Sequence, residues 1–265
     1  MLELIRLEKG ISIVSPYPCI LLEEHKTLLF ADTHLGLEEH RERLGIHVPY
    51  PITDHIIECI LKPVKELNCN KVIILGDVKH EFGKPSRDEW YSLKRLVYLL
   101  RKEDAELEVV RGNHDNYIIY ILKELNVKLH EPYLLYDRLL LTHGHINIDI
   151  KSIANENDIR GVIMGHEHPC IVLKDDIGSK HRFKAFLHGC ITLKDDKKIS
   201  LVVLPSLSPL AYGNPLNEDT VLKSPILREF NHAIDDLVPY IIDVEVTVKR
   251  FPEIKYLRYS NRVIL

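Results

Sequence analysis

The apolar positions in the first two thirds of the chain fall into short runs that alternate with helical patterns. Lys26–Ala31, Val72–Leu75 and Leu107–Arg111 each read as a strand, and each leads straight into a polar cluster. After the first of these, Ile56, Ile60, Val64 and Leu67 recur at i, i+4, i+8 and i+11. That spacing predicts a helix with Thr53 as N-cap and with Pro63 kinking or shortening it. Ser86 and Glu89 then form a capping box ahead of Trp90, Leu93, Val97 and Leu100, so a second helix should run to about Glu103. A third, short helix is expected over Tyr117–Leu125.

Beyond Val127 the pattern changes to strands separated by polar or Gly/Pro-containing turns: Arg138–Thr142, Gly161–Met164, Phe183–Leu187 and Ile199–Leu204. They predict a second sheet. The stretch PSLSPLAYGNPLNED (Pro205–Asp219) reads as loop, and strand character returns at Tyr240–Val248 and Arg262–Leu265. The alternation is that of an α/β fold. With 265 residues, no repeat and no low-complexity linker, one domain over 1–265 is expected, with 206–265 as a C-terminal extension.

Composition narrows the class. The chain is 45% hydrophobic and 28% charged, enough to bury a sizeable core and too apolar for disorder. Its 35 basic and 39 acidic residues leave a formal charge of −4, scattered along the sequence, so charge alone supplies no argument for a nucleic acid or an anionic membrane. Bound cations could still supply local positive charge for a phosphate. The five cysteines form no C-x-x-C pair, which argues against a disulfide framework and a thiolate zinc site. The start MLELIRLEKG lacks the features of a signal peptide, and no apolar run approaches about 18 residues, so a cytoplasmic protein without a membrane partner is expected.

Five polar clusters follow in order: Asp32-Thr-His34, Gly76-Asp77, Gly112-Asn113-His114-Asp115, His143-Gly-His145 and Gly165-His166-Glu-His168. Each sits at the end of an expected strand, where the loops of an α/β sheet converge on ligands. Residues i and i+2 of an extended segment point to one side, so Asp32/His34 and His166/His168 could each reach one cluster of ions. The glycines leave room for turns and close approach of the backbone. Carboxylate, amide and imidazole donors suit Mn, Fe, Ni or Zn, and the lack of sulfur argues against an iron–sulfur or cysteine site. The donors exceed the needs of one ion. Two ions about 3.5–4 Å apart, sharing a carboxylate, would use them and would suit in-line displacement at phosphorus.

The ordered set D-x-H, G-D, G-N-H-D, H-G-H and G-H-x-H resembles the calcineurin-like metallophosphoesterase superfamily. GDVKHE, with its His80, and the segment PSLSPLAYGNPLN are similar to the archaeal branch related to SbcD-type repair nucleases. The resemblance implies two packed mixed β-sheets flanked by helices, a four-layer α/β/β/α fold. It implies two divalent ions, manganese favoured over Fe, Ni or Zn, with Asp32, His34 and His168 on one, Asn113, His143 and His166 on the other, and Asp77 bridging. It implies His114 as catalytic histidine and His80 as a residue that contacts the substrate phosphate, though His80 could equally hydrogen-bond a ligand from behind. The expected activity is hydrolysis of phosphodiester bonds, nucleic acid included, by in-line attack of metal-activated water. The alternatives are a phosphomonoesterase, a small-molecule or cyclic-nucleotide phosphodiesterase, or a non-catalytic metal-binding subunit.

Neighbouring residues fill lesser roles. Asp115 is counted with His114 in the catalytic pair, as the group that orients it or caps the next helix. His145 is a substrate-binding candidate that could equally orient a ligand, and Arg111 could reach a phosphate or form a local ion pair. Histidines outside the motifs read as structural or exposed. The Trp90–Leu100 stripe reads as core, and no run of aromatic and basic residues marks a platform for single strands.

Overall fold

In the computed structural model, residues 2–48, 51–193, 196–243 and 246–259 are described. Strands β1 (Glu3–Glu8), β2 (Ile11–Ser15), β3 (Ile20–Leu22) and β4 (Thr27–Phe30) pair antiparallel in sequence order, and α1 (Leu37–Arg43) and α2 (Ile52–Leu67) follow. β5 (Lys71–Leu75), α3 (Arg87–Lys102), β6 (Glu106–Val110), α4 (Ile118–Glu124) and β7 (Lys128–His130) then add three strands parallel to β4 through helical crossovers.

The second sheet opens with β8 (Tyr133–Tyr136) and β9 (Leu139–Thr142), then α5 (Ile150–Asn157), β10 (Gly161–Met164), β11 (Pro169–Lys174), β12 (Lys180–Thr192) and β13 (Lys198–Val203). After β14 (Asn214–Pro215) and α6 (Pro225–Glu229) come β15 (Val238–Asp243), β16 (Thr247–Arg250) and α7 (Ile254–Tyr259). β10 lies parallel between β9 and β13, and β15 joins β12 antiparallel and carries β16. Part of the chain beyond residue 206 therefore extends this sheet. Among the described residues there are a seven-stranded and a nine-stranded mixed sheet.

The central strands are apolar without interruption because both faces are covered. Leu28, Phe30, Val72, Ile74, Leu107 and Val109 pack under Ile56, Ile60, Leu93, Leu96 and Leu100 of α2 and α3. Their alternates Leu29, Ile73, Leu75 and Val110 face Leu139, Leu141, Ile163, Phe186 and Val202 of the other sheet. On the far side Leu140, Val162, Met164 and Val203 pack against Ile150, Ile153, Ile226 and Phe230. The layers are helix, sheet, sheet, helix. Registers such as Phe30↔Ile74, Leu75↔Val110 and Met164↔Thr142 bring neighbouring strand ends level within each sheet.

Several local expectations are corrected. The first long helix begins at Ile52 with no side-chain cap, and the Thr53 amide donates to Glu38 Oε2 at 3.2 Å. Pro63 neither ends nor shortens it: the helix runs to Leu67 with Pro63 buried, because the apolar face against β4 and β5 outweighs one missing N–H. Phe183–Leu187 is the middle of a 13-residue strand, and Tyr240–Val248 is a hairpin of two. The Ser86–Glu89 capping box is present. The expected strand at Arg262–Leu265 lies outside the described residues. Among the described residues no helix is long and apolar enough to cross a membrane.

Phe186 is fully buried between the two sheets. Phe186→Ala should lower unfolding free energy by about 3–5 kcal/mol, read from urea denaturation, because neither sheet can close over the void.

Candidate active site

Five strands deliver the five clusters. β4, β5 and β6 end at Phe30, Leu75 and Val110 just before Asp32, Asp77 and Asn113, while β9 and β10 end at Thr142 and Met164 just before His143 and His166. One ligand atom each from Asp32, His34 and His168 lies within 4.8 Å of the others, and the same holds for Asp77, His143 and His166. Asn113 Oδ1 is 3.1 Å from His143 Nε2, which is 3.4 Å from Asp77 Oδ2 and 3.1 Å from His166 Nδ1. All seven ligand candidates therefore meet in one crevice.

The backbone that presents them is not extended. Asp32, His34, Asp77, His166 and His168 all occupy the left-handed region, with φ of 56°, 46°, 51°, 66° and 49°. The i, i+2 pairs thus reach the crevice through tight turns and not through the pleat of a strand, because the strands have already ended. Asp and His visit this region at modest cost, and such strain concentrates at functional sites. Two glycines make the close approach possible. A Cβ at Gly112 would meet the Asp77 amide nitrogen and Oδ1 at 2.2 Å, and one at Gly76, whose φ is 79°, would meet the His143 ring at 2.4 Å.

Each buried aspartate divides its work. Asp32 Oδ2 accepts from the His166 amide at 3.0 Å, and Asp77 Oδ1 accepts from the His114 amide at 2.8 Å. The other oxygens face the crevice. Asp32 Oδ1 lies 3.0 Å from His168 Nε2 without the alignment of a hydrogen bond, and both atoms are buried and unpaired, as is one nitrogen of His34. Buried polar atoms left this way call for a partner. A cation supplies one, and the nitrogen and oxygen donors present suit a divalent ion.

For four of the rings, protonation agrees with that. Burial lowers His34 and His166 to about 3 and His80 and His145 to about 4, which keeps these rings neutral. Neutral imidazole is the ligating form. Burial also opposes a charge on His143, but Asp77 and then Asp32 outweigh it and raise this ring to about 9. Burial resists ionisation of Asp77, yet His143, His34 and His114 hold its carboxyl well below the usual range. His143 Nδ1–H donates to the Leu75 carbonyl at 2.8 Å, which fixes the ring and turns Nε2 to Asp77.

The remaining expected residues surround this group. His114 Nδ1–H donates to the His80 carbonyl, and its Nε2 is 3.8 Å from Asp77 Oδ2. His80 and His145 line the crevice, each with a buried, unpartnered Nδ1. Asp115 faces away: its carboxylate accepts from the amides of Gly112 at 2.8 Å, Val78 at 2.9 Å and Lys79 at 3.4 Å, so it braces two loops and does not cap α4. Arg111 is engaged with Glu131 and with Asn116 Oδ1.

Residues without a motif also build the site. The Ser206 hydroxyl donates to the Asp32 carbonyl at 2.8 Å and the Ser208 amide to the same oxygen at 3.2 Å. Lys184 of β12, half-buried, donates Nζ to the carbonyls of Ser206 and Ser208 and so clamps this segment over Asp32. The PSLS stretch was visible as an unusual loop, but its lysine partner lies in another strand with nothing in its local sequence to mark it.

A family model described as calcineurin-like phosphoesterase matches residues 25–155. Phosphodiesterase YfcE of Escherichia coli K12 is 26% identical over 126 residues, covering 46% of this chain and 65% of that protein. YfcE of E. coli O157:H7 matches to the same extent, so the chain spans 65% of the length of these curated relatives. The crystal structure of Pseudomonas putida nuclease MPE superposes with a TM-score of 0.61 at 18% identity, over 95% of this chain and 100% of that one. That likeness is one of fold.

Gly112→Ala should retain its circular dichroism spectrum but hold fewer divalent ions per chain than wild type by elemental analysis after reconstitution, since Asp77 must move. Burial lowers the Lys184 ammonium to about 7 from an ordinary 10.5, so between these values the unfolded chain binds more protons than the folded one. Stability contributed by this group therefore rises with pH across that window. Lys184→Met should flatten the rise, read from urea midpoints at pH 7 to 10.

Proposed function

Since the chain belongs to the calcineurin-like metallophosphoesterase superfamily, we propose that it is a dinuclear metal-dependent phosphoesterase that cleaves phosphodiester bonds, nucleic acid strands among them. The observation that carries this reading is the meeting of two three-donor groups, Asp32/His34/His168 and Asp77/His143/His166, in one crevice bordered by His114. Asp32, His34 and His168 would hold one ion, Asn113, His143 and His166 the other, with Asp77 between them. Manganese is the ion the family resemblance favours, and the donors suit it as they suit Fe, Ni or Zn. When bound, such ions supply Lewis-acid stabilisation of phosphoryl charge and make water more acidic.

The chain's own groups do the rest. His80 and His145, each with an unpartnered Nδ1, would donate to phosphoryl oxygens. His114, held at Nδ1 by the His80 carbonyl, has Nε2 available to give a proton to the leaving oxygen as water attacks from the opposite side. Asp115 is a positioning residue, fixing the loop that carries Asn113 and His114 through its amide bonds. The SbcD-like, nuclease-like branch is supported by GDVKHE with His80 and by PSLSPLAYGNPLN. We read 1–265 as one domain with 206–265 as its extension, supported by the bonds from Ser206 and Ser208 to Asp32.

Reconstituted protein should hydrolyse an aryl phosphodiester faster than the matching monoester. His114→Ala should lose roughly 10²–10⁴-fold in kcat. Asp77→Ala should be inactive, and full activity in that variant would overturn the two-ion reading.

A further inference from the structure

The loop between β5 and α3 is fixed by two buried charges, and the residue at its tip is an exposed aromatic. Lys79 and Glu89 are 2% and 1% exposed. Lys79 Nζ donates to the carbonyls of Glu81 and, at 3.1 Å, Gly83, the residues on either side of Phe82. Glu89 Oε1 accepts from the amides of His80 at 3.0 Å and Glu81 at 2.8 Å, while Oε2 accepts from Ser86 at 2.7 Å. Buried charges are costly unless hydrogen-bonded, and here their bonds are spent on holding one loop in one conformation.

That loop presents the Phe82 ring 57% exposed, its centroid 3.8 Å from the His114 ring with the planes 30° apart. Burial cannot explain a phenyl ring held in water, and packing on His114 uses only part of its surface. An immobilised ring beside the group assigned to the leaving oxygen is suited to stack a flat partner attached to that oxygen. We propose that Phe82 is a specificity-determining residue that stacks an unpaired nucleobase next to the scissile phosphate, which makes single-stranded nucleic acid the substrate class. This rests on the phosphodiesterase reading above. Every base offers a π-face, so such a contact tolerates any sequence, and its removal by alanine typically weakens binding about tenfold or more.

The test compares a manganese-loaded preparation on oligothymidylate and on an abasic strand of equal length. In Phe82→Ala the ratio of kcat/KM between the two strands should fall about tenfold, mainly through KM, whereas Phe82→Trp should keep it. The emission of Phe82→Trp, with the native Trp90 signal taken from wild type, should be quenched by oligothymidylate and not by the abasic strand. Equal losses on both strands in Phe82→Ala would reduce the ring to a support for His114, and absence of base-dependent quenching would overturn the stacking. Wild type that cleaves an aryl phosphodiester but neither strand would overturn single-stranded nucleic acid as the substrate class, and wild type that cleaves none of the three would remove the phosphodiesterase reading, while the quenching still decides the contact.

Discussion

Two carboxylates stand side by side in the interior, and the site depends on how they are divided between structure and chemistry. Asp32, at the end of β4, uses one oxygen to hold the amide of His166 at the end of β10, across the boundary between the sheets. Asp77, at the end of β5, uses one oxygen to hold the amide of His114 after β6. Each leaves its second oxygen facing imidazoles. A charge without these amides and rings would be too costly to bury, so loops and carboxylates hold one another in place. The same bonds that stitch the loops together set the spacing of the donors.

The rest of the architecture supplies what this arrangement demands. Left-handed residues at five of the seven candidate ligand positions are strained, and strained backbone persists only where its surroundings over-determine it. Here Gly112 and Gly76 admit the approach of Asp77 and His143, the PSLS segment bonds the carbonyl of Asp32, and Asp115 ties the Gly112 loop to Val78. Behind them, half-buried Lys184 and the buried Lys79 and Glu89 direct their charged groups to backbone atoms. Donors held in place lower the cost of reorganising them around an ion, and a ring fixed by its neighbours costs less to orient.

The elements and the ligand candidates were legible because both are written locally. A strand buried on both faces leaves an uninterrupted apolar run, as at Val72–Leu75, and a capping box leaves Ser86 three residues before Glu89. The five motifs were recognisable from residue type and order, and all of them converge. Local backbone geometry is less legible: the pairs 32/34 and 166/168 reach the crevice through left-handed residues, and Thr53 caps nothing. Pro63 looked like a helix breaker because sequence shows the missing donor and hides the core that compensates for it.

Alone, the sequence determined the α/β rhythm and the donor chemistry, because hydrophobic period and side-chain type are properties of a few adjacent residues. Tertiary structure decided which oxygen of each aspartate faces the donors, that Asp115 turns away from them, and that Lys184 and Ser206 brace Asp32. It also decided that Phe82, which stands in no aromatic run, lies against the His114 ring. Each of these depends on contacts between residues tens of positions apart, and such contacts come into being only when two sheets pack and bring their strand ends to a common edge.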